Sequence, residues 1–375
     1  MAIFLRSSIR FNSTLGCCGR GSLKAAFQAP RSSIRLYHGA AARKAAVAAA
    51  VQSSPTPIPP FMEAKSQLNV LQRLHDPAFY EGIAKLMDLR RKYIEDRSIF
   101  IRGEDMIPLL KALGVKDSDF APLKLVSDHL GVDPTLNYRE IKNGRFCFDF
   151  DTQSIRRLEK QPFTLSVGEE FRRHDSGKIR EFEEVDNDLQ LNTVLQALMV
   201  FKVFFFAGVP TAPRDLLDYS SNKFICTLFN TRTFTDRNVL GEPALEGVHT
   251  DGVDHTMTTL LGSNNMTSDS AITLMHDMRE VTGSRLNNSQ PALIKGHCQH
   301  RNFLDTMIIA DTERKHSLTP VYAQDEAKRA TRDMLIFFTR RPTLPGHVSY
   351  NIDSTNSHTR LPMEIPMWVP QTPAP

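Results

Sequence analysis

Cysteine is scarce, with five in 375 residues. That is too few for a disulfide framework, so stability must come from a buried apolar core. Long apolar runs are also missing. The most apolar stretch, Leu195–Val209, is 15 residues long, contains Lys202 and stops at Gly208 and Pro210. A bilayer span needs about 20 such residues, so this segment predicts a buried helix. Acidic residues are absent from the first 62 positions, where eight Lys or Arg stand before the first carboxylate, Glu63. Those eight bases exceed the chain's whole formal surplus of +4. The rest of the chain is therefore slightly acidic, which excludes a general charge-driven affinity for nucleic acid. What remains is ordinary for a globular protein: 41% hydrophobic and 23% charged residues, in a length that suits one large domain or two smaller ones.

The acid-free, Arg- and Ser-rich beginning has the composition of an organellar transit peptide, and the regularly spaced arginines leave no apolar core for a secretory signal. Arg35-Leu36-Tyr37-His38 resembles a mitochondrial processing site. The expectation is a transit peptide over residues 1–37 and delivery to the mitochondrial matrix, followed by a disordered linker over 38–65 that includes the extended Ser53–Pro60 (SSPTPIPP). Cys17 and Cys18 would leave with the leader. Cys147, Cys226 and Cys298 would stay as free thiols in a reducing compartment.

Residues 66–150 are expected to form a helical N-terminal region. Phe79, Ile83, Leu86, Met87 and Tyr93 fall near one stripe at three-to-four spacing over Ala78–Arg97, and Asp117 or Ser118 could cap a second helix running toward His129, with Gly131 as its stop. Phe146-Cys147-Phe148-Asp149-Phe150 alternates as a strand does. Asp186–Val209 reads as one long helical stretch. Beyond it, Lys223–Thr231, His255–Leu261, Ala271–Met275, Thr306–Ile309 and Met334–Thr339 are short β-like runs separated by polar turns. The pattern predicts an α+β fold in which a jelly-roll domain over 151–345 follows the helices, and residues 346–375 form a C-terminal tail.

The chemistry concentrates around His249-Thr250-Asp251, set between Gly247 and Gly252. In an extended segment residues i and i+2 project to the same side, so one imidazole and one carboxylate can face a single ion. His316, just after the apolar Met307-Ile308-Ile309 run, is the candidate third ligand. Two histidines and a carboxylate on one face of an octahedron are the ligand set of non-haem Fe(II) oxygenases, with the opposite positions open. Arg332, at the head of the run Arg332–Thr339, is placed to grip a dicarboxylate through paired charge-assisted hydrogen bonds. The alternative for Arg332 is a surface ion pair with Asp333 or Glu326.

In this order these pieces resemble the iron(II)/2-oxoglutarate dioxygenase family that includes bacterial hydroxylases of free isoleucine. The resembling parts are His249-Thr-Asp251, Asn264-Asn265, His316-Ser-Leu-Thr-Pro320 and Arg332-Asp333-Met-Leu-Ile. Upstream, Gly177-Lys-Ile-Arg180-Glu-Phe182 is similar to the family's Gly-x-x-Arg-x-Phe segment. The likeness spans roughly residues 160–340. It implies a double-stranded β-helix (jelly-roll) core, Fe(II) held by His249, Asp251 and His316, and 2-oxoglutarate and O2 as co-substrates. It further implies Arg332 as the partner of the distal carboxylate of 2-oxoglutarate, and Arg232 as a contact to substrate or co-substrate. The implied reaction hydroxylates an aliphatic C–H of a small substrate, a free amino acid, with release of succinate and CO2. The sequence departs from the family at Ser268-Asp269-Ser270 and Ser176-Gly177, where the family has Gly-Gly pairs, which bears on substrate identity.

Two other functions use the same residues: a zinc hydrolase on the same three ligands, and a non-catalytic mitochondrial interaction protein on the same scaffold. His297-Cys298-Gln299-His300 has no spacing of a closed zinc site and reads as a loop. His255 and His276 read as packed, hydrogen-bonded histidines. No membrane span and no nucleic-acid partner are expected; the oligomeric state is not encoded in any visible motif.

Overall fold

The computed structural model describes residues 68–370. The expected transit peptide, the whole of the linker and the last five residues lie outside that range. Among the described residues no helix is long and apolar enough to cross a membrane.

Helix α1, Pro77–Asp96, starts where Asp76 accepts a hydrogen bond from the Ala78 N–H and Pro77 occupies the first turn. Its buried stripe is Phe79, Ile83, Leu86 and Tyr93. A second helix, α2, spans Gly103–Ala112 and carries Pro108 inside. The sequence signal for it was masked by Gly103 and Pro108, both poor helix formers. The helix expected from residue 117 to His129 is instead a string of short turns, including Asp117–Asp119 and Phe120–Leu123. Gly131 opens a strand there rather than stopping a helix. The stretch expected as one helix over Asp186–Val209 is broken into a single turn, Asn187–Gln190, and helix α3, Thr193–Phe206. The break comes at Asn192, whose side chain caps α3 by accepting from the Val194 N–H.

All fourteen residues of α3 are buried, Lys202 included. Its ammonium donates to the carbonyls of His255 (3.2 Å) and Phe337 (2.8 Å), so the helix is tied to the sheet beneath it. A charge with no carboxylate beside it is costly to bury, and desolvation lowers the Lys202 pKa to about 8.

Eight segments make the jelly roll. The larger sheet runs β10 (Thr306–Ala310), β7 (His255–Asn264), β12 (Ala330–Arg340), β6 (Lys223–Thr235), antiparallel throughout. Opposite it lie β11 (Lys315–Leu318), β8 (Ile272–His276) and β9 (Ile294–Gln299). A bridge between His249 and His316 adds the fourth member of this smaller sheet. Strand alternation divides the larger sheet's side chains. Leu228, Leu335 and Phe337 pack toward the helices, whereas Phe229, Ile336 and Phe338 face the space between the sheets.

The larger sheet extends past the expected domain limits. β1 (Ser98–Ile101) adds beside β10, while β3 (Arg139–Asp149) and β4 (Ser154–Leu158) form a hairpin beyond β6. Two-residue strands β2 (Gly131–Val132) and β5 (Glu183–Glu184) flank β3. A boundary at residue 150 therefore cuts a hairpin, and the region 66–150 is mixed rather than helical. The last seven residues of β3 are all buried, among them the Phe146–Asp149 stretch expected as a strand.

The expected C-terminal tail is also folded onto the sheet. β13, Glu364–Pro366, pairs with β4, and Met363, Ile365 and Met367 are buried at a period of two. Asp353 fastens this segment by accepting from Arg145 (2.8 Å), Arg340 (2.9 Å) and the Thr343 backbone N–H (3.1 Å). Burial would raise the Asp353 pKa, but Arg340 and Arg145 outweigh it and hold the carboxyl below its ordinary value. A depressed carboxyl pKa stabilises the fold above the unfolded-state value, and that contribution is lost as the pH falls through the folded one. Asp353→Asn should cost about 3 kcal/mol, the scale of breaking a buried ion pair, read as a lower urea midpoint.

Candidate functional site

His249, Asp251 and His316 converge between the sheets, each offering a ligand atom within 4.8 Å of the others. The backbone explains how. His249 and His316 exchange both backbone hydrogen bonds of an antiparallel pair, 2.9 and 3.0 Å long. Their rings therefore lie on one face, with centroids 4.3 Å apart. Asp251, two residues on, points the same way: its oxygens lie 3.5 Å from His249 Nε2 and 3.6 Å from His316 Nε2.

The surrounding shell fixes these groups. His249 Nδ1 donates to the Gly247 carbonyl at 2.8 Å, leaving the Nε2 lone pair directed at the site. Gly247 has φ +78° and a Cβ there would come within 2.5 Å of the Ser284 carbonyl oxygen, so glycine is required. Asp251 Oδ2 accepts from the Thr256 hydroxyl at 2.6 Å. The buried Asp311 carboxylate accepts from the backbone N–H groups of Asp251 (2.9 Å) and Val253 (3.2 Å) and from Arg214 (2.8 Å). Asp311 thus clamps the turn that carries Asp251, 60 residues away in sequence.

The electrostatics suit a cation. Burial disfavours a charged His249, yet the Glu246 and Asp251 carboxylates outweigh it and raise the imidazole to about 9. Burial pushes His316 down to about 4. It would push Asp251 up, but His316, His249 and the Thr256 hydroxyl bring the carboxyl to about 2. A site that strengthens proton binding at one imidazole while holding its carboxylate ionised has negative potential where the Nε2 atoms meet.

The triad lies in a cleft whose walls include Phe163, Leu165, Phe229, Ile336 and Phe338. Arg332 lines the same cleft. It is 5% exposed, its Nε has no hydrogen-bond partner, and no ion pair to it occurs among the described residues. The surface pairing with Asp333 or Glu326 is excluded for Arg332. Desolvation lowers its pKa to about 10, a cost that an incoming carboxylate would relieve. Thr273, on β8, also faces the cleft with an unpartnered hydroxyl.

Arg232 is turned away. It and Asp333 are direct register partners on β6 and β12, and they form a bidentate pair at 2.7 Å, with Asp128 at 3.0 Å. Its neighbours Phe229 and Thr231 line the cleft, and alternation puts Arg232 on the other face. The contact to substrate or co-substrate expected of Arg232 is corrected on that parity.

His255 donates to or accepts from Tyr93 at 2.6 Å, and His276 meets Ser317 at 2.9 Å; both are packed as expected. His297–Gln299 lies on β9, not on a loop, and takes no part in a metal-ligand cluster among the described residues. Cys147, Cys226 and Cys298 are free and buried.

A family model described as 2OG-Fe dioxygenase matches residues 124–338. The chain belongs to this family. The family's chemistry uses Fe(II), 2-oxoglutarate and O2, and this 2OG-Fe dioxygenase is an oxidoreductase. It is 55% identical over 302 residues to the bifunctional enzyme flvA of Aspergillus flavus, across 80% of this chain and 37% of that protein. The chain thus spans little more than a third of the length of the curated relative it matches. Among solved structures it is 52% identical to the Fe(II)/(alpha)ketoglutarate-dependent dioxygenase TqaL, with a TM-score of 0.68 over 78% of this chain and 98% of that one. A bsmA homolog from Methylobium petroleophilum PM1, 17% identical with a TM-score of 0.55, covers 70% of this chain and 95% of its own and shares the fold.

The residues present fit the family's cofactor and co-substrate. The three converging donors are the set expected for non-haem Fe(II). The orphaned Arg332 and Thr273 polar atoms are what a bound dicarboxylate would satisfy. Asp311, Arg214 and Thr273 carry no local sequence signal, because their roles depend on contacts across distant segments. Asp311→Ala should lower Fe(II) affinity about 10- to 100-fold, the scale of removing an outer-shell partner, as read by anaerobic metal titration.

Proposed function

We propose that the chain hydroxylates an aliphatic C–H bond of a free amino acid, converting one 2-oxoglutarate and one O2 to succinate and CO2 as one oxygen atom enters the substrate. The observation that carries this reading is a single cleft holding the metal triad, an unpaired buried arginine, and apolar walls beside charges of both signs. Bound ferrous iron with 2-oxoglutarate supplies the oxidative decarboxylation that drives C–H oxidation.

In this reading His249, Asp251 and His316 hold the iron. Gly247 and Thr256 fix the His249 ring and the Asp251 carboxylate, so the donors need no rearrangement on binding. Arg332 takes the distal carboxylate of 2-oxoglutarate and Thr273 donates to it. Phe163, Phe229, Ile336 and Phe338 exclude water and hold the aliphatic part of the substrate. Glu246, whose carboxylate lines the cleft without an ion pair among the described residues, is available to a substrate ammonium.

The test is to incubate the Fe(II)-loaded enzyme with 2-oxoglutarate and a panel of free amino acids. Succinate formation should match the gain of one oxygen atom by mass spectrometry. Succinate released at the same rate with every amino acid, and no oxygenated product, would rule this substrate class out. Delivery to the mitochondrial matrix by residues 1–37 is part of the proposal, supported by the composition of that segment. Fractionation of cells expressing the full chain and a form lacking those residues checks it; identical cytosolic distribution of the two would count against it.

A further inference from the structure

Besides Arg332, three guanidinium groups line the cleft, on Arg139, Arg173 and Arg180. Two are already neutralised. Arg139 pairs with Asp133 at 2.6 Å, and Arg173 pairs with both oxygens of Asp175 at 2.8 and 2.9 Å. Arg180 is the surplus charge. It is 4% exposed, and its nearest carboxylate is the already engaged Asp175 at 3.7 Å. Its Nε and Nη2 atoms have no hydrogen-bond partner among the described residues.

The setting holds this charge firmly. The Arg180 guanidinium lies 4.9 Å from the ring centre of Phe163, 5.0 Å from Phe171 and 5.9 Å from Phe182. Backbone pairing with Phe163 pins the residue itself, through hydrogen bonds of 2.8 and 2.9 Å. Aromatic faces attract a cation but satisfy no N–H donor, and a buried donor left unpaired is costly. Such a group is stable here if something that visits the cleft completes it.

We propose that Arg180 binds the carboxylate of the substrate, acting as the specificity-determining residue for carboxylic-acid substrates with an aliphatic body. The assignment rests on the amino-acid reading above and deepens it. Arg332 serves 2-oxoglutarate and Arg180 serves the substrate, so each acid meets a buried guanidinium with unsatisfied N–H donors in one cleft. Asp175, gripped by Arg173, lies 3.7 Å from Arg180 and helps to hold its guanidinium in place. The apolar residues Phe163, Phe229 and Phe338 then receive the side chain.

The experiment uses the enzyme loaded anaerobically with Fe(II) and 2-oxoglutarate, whose visible charge-transfer band shifts when a substrate enters. Free aliphatic amino acids and their carboxamides are titrated side by side. Wild-type enzyme should bind the acids on the order of 100-fold more tightly than the amides, the scale set by losing one partner of a buried charge pair. Arg180→Met should erase that preference, and Arg180→Lys should restore part of it. Formation of the 2-oxoglutarate band in both variants reports that fold and metal site are intact, and the wild-type comparison of acid with amide needs no variant at all. Equal binding of acid and amide by the wild type, or an undiminished acid preference in Arg180→Met, overturns the Arg180 assignment and leaves the amino-acid reading standing. A wild-type enzyme that answers to no acid in the panel overturns that reading and this assignment together.

Discussion

Replacing His316 with alanine abolishes iron-dependent succinate formation. The expected fall is at least about 1,000-fold, larger than the roughly 10- to 100-fold that follows loss of an outer-shell partner. The reason is geometric. His249 and Asp251 are two residues apart and present two donors from one turn, whereas His316 closes the site from the neighbouring strand through the His249–His316 bridge. Removing it leaves two donors and an open side. The backbone bridge does not depend on the imidazole, so the variant should melt close to the wild type. Iron content measured after anaerobic reconstitution separates loss of metal from loss of fold. A variant that retains one iron per chain and full turnover would contradict the role given to His316.

Arg332→Met should raise the KM for 2-oxoglutarate about 100-fold while leaving Fe(II) affinity close to that of the wild type. Arg332 is buried without a carboxylate partner among the described residues, so its favourable pairing waits for the co-substrate. Losing one member of a desolvated charge pair costs about 2–5 kcal/mol. Lysine at this position keeps a point charge but not the planar fork, and should recover only part of the affinity. Steady-state titration of 2-oxoglutarate decides it; an unchanged KM in Arg332→Met would remove Arg332 from co-substrate binding.

Much of the site was legible in the sequence because local spacing encodes it. His249 and Asp251 share parity on an extended segment, and Gly247 and Gly252 mark the turn that lets them converge. His316 lies on β11, just after the apolar run that forms β10, and Arg332 lies near the start of β12. Arg232 shows where such reading fails: an arginine on the strand before the metal motif looks useful, yet its parity with Cys226 and Leu228 sends it to the helix-facing side, against Asp333. Strand alternation alone would have corrected it, once Phe229 and Thr231 were assigned to the cleft.

The misses in the fold have a different cause. β3 is legible only at Phe146–Asp149, because its last seven residues are all buried and show no amphipathic period; α3, buried all round, is legible as a helix from its apolar run but not where it begins. The segment after residue 345 looks like a tail because its anchors, Asp353 and the Met363–Ile365–Met367 row, find partners near residues 145, 155 and 340. Asp311 and Arg214 belong to the same class. Their importance lies in hydrogen bonds to the Asp251–Val253 turn, and nothing within several residues of either in the chain announces it.

The central claim is that three side chains hold one ferrous ion which 2-oxoglutarate chelates within reach of Arg332. A crystal structure of the protein grown anaerobically with Mn(II), an oxygen-inert substitute, and 2-oxoglutarate tests it most directly. The expected result is one ion bonded to His249 Nε2, Asp251 and His316 Nε2, with the co-substrate's distal carboxylate on the Arg332 guanidinium. An ion bound elsewhere, or a co-substrate whose distal carboxylate lies away from Arg332, would contradict it.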